Sequence, residues 1–350
     1  MDKSDNLNQP SNPEPDPYSC TESPKILIIR FSSIGDIILT TPMVRCIKKR
    51  FPNSQIHYLT NQSNTIILEN NPYIDKVISY SGTFPATFKQ LKAEKYSLVI
   101  DSHRKLRSIM LSLRLLRPRV HIRKESFKKM LLVKFRINLL SKKHVVDLHL
   151  DTVKHLGVVN DNLGLDYFLS EEDYIAPDAL PLNFQDGYIA VVVGAKHFTK
   201  QIPTDILIDI CNKIQKPILL LGDSNDRIKA ESIEKQVGTR VFNGCGVYNL
   251  NQSAALIDKS LGVITSDTGL MHIASARKKP IIIVWGNTIP EFGLYPYMPE
   301  IEDKKIYSFE VENLNCRPCS RIGYDKCPKN DFKCMLNHNT EKIAEIANAW

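Results

Sequence analysis

From Lys25 onward the chain alternates short apolar runs with loops and amphipathic stretches of helical length. Lys25–Arg30, Gln55–Thr60, Val77–Tyr80 and Ser97–Asp101 are four to six residues long and rich in Val, Ile, Leu and Tyr, the pattern of buried strands. Asp36–Arg50 carries Ile37, Ile38, Val44 and Ile47 on one helical face. The scheme repeats later. Tyr188–Val193, Pro217–Leu221, Leu261–Thr265 and Pro280–Trp285 read as strands, and Thr204–Ile214, Asp226–Val237, Leu250–Ile257 and Gly269–Ala276 as helices between and beside them. Strands alternating with helices predict βαβ units and mostly parallel sheets covered on both faces.

Periodicity is lost over residues 160–186, where Pro, Asp and Asn are dense, so a linker is expected there. With 350 residues the chain exceeds a single ordinary core of about 100 to 200 residues. The division predicted is a Pro/Asn/Ser/Asp-rich disordered tail at 1–23, a Rossmann-like domain at 24–165, a second at 180–335, and a closing helix at 336–350 that packs back on the first domain. An α/β fold of two facing doubly wound domains places ligands at the carboxyl ends of the strands, in the cleft between the halves.

Composition narrows the class. At 43% hydrophobic and 24% charged, the chain can bury sizeable cores and is neither collagenous nor disordered throughout. Its apolar runs, such as Ile218–Leu221 and Ile281–Trp285, fall far short of the roughly 20 residues that cross a bilayer. The first 23 residues have neither a basic start nor an apolar core, so they do not read as a secretory signal, and a cytoplasmic protein is expected.

Three loops that follow predicted strands carry candidate chemistry. Phe31-Ser32-Ser33-Ile34-Gly35-Asp36 joins the first strand to the first helix. A small, polar, Gly-containing turn lets backbone approach a ligand, and a carboxylate at a cleft mouth suits a general base; equally, Ser33 and Asp36 are good helix-capping residues. Ser266-Asp267-Thr268-Gly269-Leu270-Met271-His272 again lies between a strand and a helix, where free N–H groups bind a phosphate or pyrophosphate. Gly286-Asn287-Thr288 adds a polar rim on the same edge. The loop from Gly194 to Pro203 holds Lys196, Thr199 and Lys200, two cations and a hydroxyl able together to stabilise a departing diphosphate.

In order and spacing these segments, with Arg30–Pro42 (RFSSIGDIILTTP), Ser266–Ala274 (SDTGLMHIA) and Val284–Pro296 (VWGNTIPEFGLYP), resemble the ADP-heptose:lipopolysaccharide heptosyltransferases, inverting enzymes of glycosyltransferase family 9 with a GT-B fold. The resemblance runs from about Lys25 to the C-terminus. It implies that Asp36 is the catalytic base, with Ser33, Gly35, His103, Arg104 and Arg107 on the acceptor side. It implies that Lys200, Asp226, Tyr248, Asp267, Thr268, Gly269, Leu270 and His272 hold the donor, Asp223 competing with Asp226 for the nucleotide. Ile202 stands before Pro203 where the family has tryptophan. No second carboxylate near Asp36 offers an enzymic nucleophile, so a single inverting displacement follows. No Asp-x-Asp pattern is present, which agrees with catalysis that needs no metal cofactor.

Net charge is +8, but residues 104–143 hold 14 Lys and Arg against one acid, Glu125, a local +13 that leaves −5 for the rest. Between Lys128 and Leu140 these charges alternate with apolar residues, as on a surface that meets anionic lipid. Helix-turn-helix, RNP and zinc-finger patterns are missing, so nucleic acid is not the expected partner. Four of the eight cysteines, Cys316, Cys319, Cys327 and Cys334, fall in the last 35 residues and have the ligand count for a structural zinc.

The reading that results is transfer of heptose from ADP-heptose to the lipid A-linked inner core of lipopolysaccharide, at the inner face of the inner membrane. The alternatives are a family 9 transferase with another nucleotide sugar or acceptor, and a non-catalytic protein that binds nucleotide or anionic glycan.

Overall fold

A computed structural model of the chain describes residues 23–80, 82–176, 179–299 and 305–350; the expected disordered tail lies almost wholly outside them. The first sheet is built from β1 (Lys25–Ile29), β2 (Gln55–Asn61), β3 (Lys76–Tyr80), β4 (Leu98–Asp101) and β5 (Arg119–His121). Its helices are α1 (Ile34–Ile38), α2 (Thr41–Arg50), α3 (Phe84–Ala93), α4 (Leu106–Arg114), α5 (Ser126–Phe135) and α6 (Val145–Val153). All neighbours pair in parallel, in the order β3-β2-β1-β4-β5. Every residue of β4, and all of β1 beyond Lys25, is buried, as expected of strands with helices on both faces.

The second sheet comprises β6 (Ile189–Val192), β7 (Ile218–Leu221), β8 (Val241–Asn243), β9 (Gly262–Thr265), β10 (Ile281–Val284) and β11 (Ile306–Phe309). It is also parallel, in the order β11-β10-β9-β6-β7-β8. Around it lie α7 (Thr204–Lys213), α8 (Arg227–Val237), α9 (Leu250–Lys259), α10 (Gly269–Ala276), α11 (Lys333–Leu336) and α12 (Thr340–Asn348).

Strand order fixes where a ligand goes. In the first sheet the order of strand addition reverses between β1 and β4, and in the second between β6 and β9, so the loops after those strands diverge and leave a crevice. Asp36 lies on α1, just past the loop after β1. Lys200 follows β6 and Asp267 follows β9. The three loops singled out in the sequence therefore sit at the two switch points.

The halves are not loosely tethered. One apolar cluster runs from Ile28, Ile38 and Val146 through Tyr167 to Leu219, Ile273 and Trp285, and so joins both sheets. Among the described residues of 157–188, only short 3-10 turns and irregular backbone occur, as the loss of periodicity predicts. They are pinned to the first domain by Arg45, 2% exposed, which pairs with Asp161 at 2.8 Å and with Asp166 and donates to the carbonyl of Gly164.

Two expectations change. The single helix expected over Asp36–Arg50 is broken into α1 and α2, because Pro42 lacks an N–H and its ring would clash with the carbonyl four residues back. The C-terminal helix packs on the second domain. α12 lies against α7, Lys213 donates to Thr340 at 2.9 Å, and the Trp350 indole fills the space beside Gly262, where a side chain would come within 2.2 Å of the ring.

Candidate active site

At the N-terminus of α1, Asp36 is held from two sides. One carboxylate oxygen pairs with Arg30 at 2.7 Å, and the other accepts from the hydroxyl (2.8 Å) and backbone N–H (3.2 Å) of Ser33. Arg30 comes off the end of β1 nearly buried and also donates to the carbonyls of Ser32 and Ser102. Burial alone would raise the Asp36 pKa, but the Arg30 charge and the Ser33 hydrogen bonds outweigh it and hold the carboxyl well below the usual carboxylate range. A third of the Asp36 side chain remains exposed. The residue that the resemblance names as the base is thus also part of the helix cap.

Across the cleft, α10 begins opposite α1. Its cap is Thr268, whose hydroxyl accepts from the N–H of Met271 at 3.3 Å and shares a hydrogen bond with Thr265 at 3.1 Å. That leaves the N–H groups of Gly269 and Leu270 without helical partners, directed out of the helix start. The two helices meet without room for a side chain at either facing glycine. A Cβ on Gly35 would lie 2.4 Å from the His272 ring, and one on Gly269 2.8 Å from Ile34. His272 is buried with Nδ1 unpartnered, and burial moves its pKa down to about 4 although Asp267 and Asp36 both pull the other way. It is therefore a neutral imidazole lodged between the two carboxylates.

Asp267, 7% exposed, accepts from Lys200 at 2.6 Å and from the Thr288 hydroxyl at 3.0 Å. The three come from the loops after β9, β6 and β10. Arg317 fastens the last of these by donating to the carbonyls of Gly286 (2.6 Å) and Thr288 (2.8 Å). Of the two lysines, Lys200 is the one paired with Asp267, and Lys196 is exposed. Ile202, in the position where the resemblance expects tryptophan, is 1% exposed in the core under α7.

Asp226 and Asp223 are separated by the structure. Asp226 is half-buried and seated against Gly194 and Gly222, which leave it space that any Cβ would fill, while Asp223 is exposed and caps the turn. Burial raises the Asp226 pKa, with Lys229 acting against it. Tyr248 stands half-buried beside Gly244 at the end of β8.

Of the residues that the resemblance assigns to the acceptor, the His103 ring meets Phe31 edge-on at 5.2 Å, and Arg107 lies over Phe31 and Tyr80 at 5.8 and 4.8 Å. Burial, then Arg30 and Lys124, bring His103 down to about 4. Lys124 itself donates to the His103 carbonyl and is brought down to about 8 by burial and by Arg30. Arg104 donates to the carbonyl of Ile122 at 3.1 Å.

Sequence patterning missed Arg30, Lys124 and Lys129. Lys129 crosses the cleft from α5 to the carbonyl of Phe292 at 2.6 Å, and both Asp36 and Asp267 act on its charge. Arg136 reaches the carbonyls of Pro318 and Asn315. Part of the basic segment therefore clasps the second domain. The signal for Arg30 was available: an arginine closing an otherwise apolar strand has no reason to be there unless it is paired.

Among the four C-terminal cysteines, Cys334 is buried and the other three half-buried. Burial, then the charges of Cys319, Cys316 and Cys327, push the Cys334 thiol up to about 12. Among the described residues no group of three or more His, Cys, Asp or Glu side chains is placed to hold a metal ion, so no role is assigned to one.

The family of glycosyltransferase family 9 (heptosyltransferase) matches residues 85–322, more than half the chain. The chain belongs to this family. Similar relatives include lipopolysaccharide heptosyltransferase 3 of Escherichia coli K12, 26% identical over 283 residues, covering 73% of this chain and 80% of the relative. Among solved structures, a family 9 glycosyl transferase from Veillonella parvula matches with TM-score 0.73 at 20% identity, covering 93% of this chain and 96% of that one. The ADP-heptose lps heptosyltransferase II of E. coli matches with TM-score 0.71 at 19% identity over 93% and 98%. The family 9 fold, GT-B with two facing parallel-sheet domains, is the architecture found here.

Proposed function

We propose that the chain transfers heptose from ADP-heptose to the inner core of lipopolysaccharide by one inverting displacement, without a catalytic metal. The observation that carries this is the facing pair of helix starts: Asp36 on α1, and Lys200, Asp267 and Thr288 around the start of α10, with Gly35 against His272 between them. A donor laid along the second domain puts its diphosphate on the Gly269 and Leu270 N–H groups and on Lys200, and its sugar hydroxyls on Asp267, with Asp226 and Tyr248 at the nucleoside. The acceptor enters beside Ser33, His103, Arg104 and Arg107. Its hydroxyl oxygen attacks the anomeric carbon, the bond to the diphosphate breaks with its electron pair, and ADP leaves with that charge met by Lys200 and the helix N–H groups. Asp36 takes the hydroxyl proton. A carboxylate held so acidic is a poor base toward a free alcohol, so proton transfer occurs only as the carbon–oxygen bond forms and the oxygen becomes acidic.

Asp36→Asn is expected to lower kcat about 10²- to 10⁴-fold while ADP binding, measured by calorimetry, is retained. Unchanged transfer rules out Asp36 as the base. Assaying a panel of nucleotide sugars with and without chelator tests donor identity and metal independence together.

The same reading places the chain on the inner face of the inner membrane. No helix among the described residues is long and apolar enough to cross one. Support comes from α4 and α5: Leu106, Met110 and Leu113 form an exposed stripe at helical spacing, and Leu116, Phe127, Phe135, Ile137 and Leu139 are also exposed, all among arginines and lysines. Leu106→Ser with Leu113→Ser is expected to abolish co-sedimentation with phosphatidylglycerol vesicles in low salt. Undiminished co-sedimentation removes α4 from the docking face.

A further inference from the structure

Lys200 and Arg30 stand in the cleft already matched by carboxylates. Lys200 is 2.6 Å from Asp267, and Arg30 is 2.7 Å from Asp36. The start of α10 adds only about half a positive charge. A sugar nucleotide carries an ionised oxygen on each phosphorus, and breaking the anomeric bond puts a further charge on the departing ADP. Lys129 is a cation that remains uncommitted. It stands half-buried on α5, and its ammonium donates to the carbonyl of Phe292 at 2.6 Å and lies 5.4 Å from the centre of that ring. Among the described residues it pairs with no carboxylate, because Glu125, the acid nearest in sequence, is taken by Lys128 at 2.8 Å. An ammonium has three N–H donors, so two are left over.

Its position brings it to the donor. Phe292, 2% exposed, closes the turn Pro290–Phe292, four residues beyond the Thr288 whose hydroxyl holds Asp267. Four residues reach at most about 14 Å when extended, and the turn shortens that. Burial lowers the Lys129 pKa, while Glu125, Asp36 and Asp267 pull the other way, so carboxylates on both walls of the cleft act on this one ammonium. We propose that Lys129 reaches across the cleft to the donor's diphosphate and, with Lys200 and the start of α10, meets the charge that builds there as the bond to the sugar breaks. The electron pair of that carbon–oxygen bond passes to the departing phosphate oxygen, and no proton is needed from the lysine. The first domain then supplies a leaving-group cation as well as the base. This rests on the donor reading of the preceding section and deepens it. A lysine that only fastened the domains together, as Arg136 does at the carbonyls of Pro318 and Asn315, would not tell a charged ligand from an uncharged one.

Calorimetry of the full chain with ADP and, separately, with adenosine is the test. Lys129→Met keeps a side-chain stem against Phe292 but removes the charge. It is expected to bind ADP at least tenfold more weakly than wild type and adenosine within twofold, with kcat for transfer lowered about 10²-fold. Lys129→Arg, which restores the charge, should keep ADP within threefold, and Arg136→Gln should leave both ligands unchanged. Equal ADP affinity in wild type and Lys129→Met overturns the proposal. So does an equal weakening of ADP and adenosine, or a loss in Arg136→Gln as large as that in Lys129→Met, since either makes the contact a clasp between domains. Should the methionine variant not fold, Lys129→Gln is read in the same way. Wild-type sugar transfer together with undiminished ADP binding by Lys129→Met defeats the role of Lys129 and leaves the transferase reading standing. A charge-selective loss of ADP in a protein whose wild type transfers no sugar does the reverse.

Discussion

Arg30 sets the terms on which Asp36 works. With the guanidinium 2.7 Å away the carboxylate is ionised throughout the physiological range, and the acid limb of the rate profile is pushed below the pH at which an ordinary aspartate protonates. As the proposed base, Asp36 must be ionised to accept a proton, so removing the cation raises its pKa and brings the limb into view. For Arg30→Gln, kcat/KM is expected to fall several-fold between pH 7 and pH 5 while the wild type stays nearly flat; identical profiles would mean that Arg30 does not tune the base. Asp36 was readable from the sequence because its loop follows a strand and opens a helix. That Arg30 must be paired was readable too, but not with which group, since the pairing depends on the turn of residues 31–33 carrying the carboxylate back over the end of its own strand. Thr288 shows the same limit. The sequence places it on the right edge, but only the register of β9 beside β10 brings its hydroxyl to Asp267.

At the scale of elements, the cleft depends on two helices that approach through glycine. Gly35 has no requirement for a left-handed backbone; what it supplies is the absence of a Cβ where the His272 ring sits. Gly35→Ala would place a methyl 2.4 Å from Cδ2, closer than such atoms approach, and a buried ring cannot swing clear without moving α10. The expected outcome is a KM for the donor raised about tenfold or more, with a melting temperature lowered by a few degrees, whereas Gly238→Ala, far from the cleft with nothing near its Cβ, should leave donor KM alone. Equal donor KM in wild type and Gly35→Ala would show that the helix contact does not shape the site. Central strands and long helices were legible because their burial repeats along the chain. The edge strands β5, β8 and β11 were not: each has only three or four residues, and in β5 a single valine lies between arginine and histidine. The role of α5 was only partly legible. Its lysines look alike in the sequence, and the packing alone decides that Lys129 turns inward while Lys134 faces solvent.

Taken whole, the molecule encloses histidines that must stay neutral, and this sets its response to acid. His144, His149 and His272 are at most 4% exposed, and burial brings them to about 3, 3 and 4 from an ordinary value near 6.5. His149 has neither ring nitrogen partnered and lies where Arg30 and Lys124 further oppose its protonation. Because the folded pKa is the lower one, the unfolded chain binds more protons between about pH 6.5 and pH 4, so stability declines as pH falls through that window. Each such histidine contributes up to about 1.4 kcal/mol per pH unit. Three acting together approach about 4 kcal/mol per unit, large against a total stability of roughly 5 to 15 kcal/mol. The depressed carboxylates Asp36 and Asp161 have the opposite placement: their stabilisation is present above the ordinary aspartate range and is lost only below it, so they leave the histidine window clear. Unfolding by urea is therefore expected to shift to markedly lower denaturant between pH 7 and pH 5.5. His103, His57 and His338 are lowered as well, so His149→Phe, which removes a titrating group that makes no hydrogen bond, should flatten that dependence by less than a third but measurably. A variant whose pH dependence matches the wild type would place the acid sensitivity elsewhere in the fold.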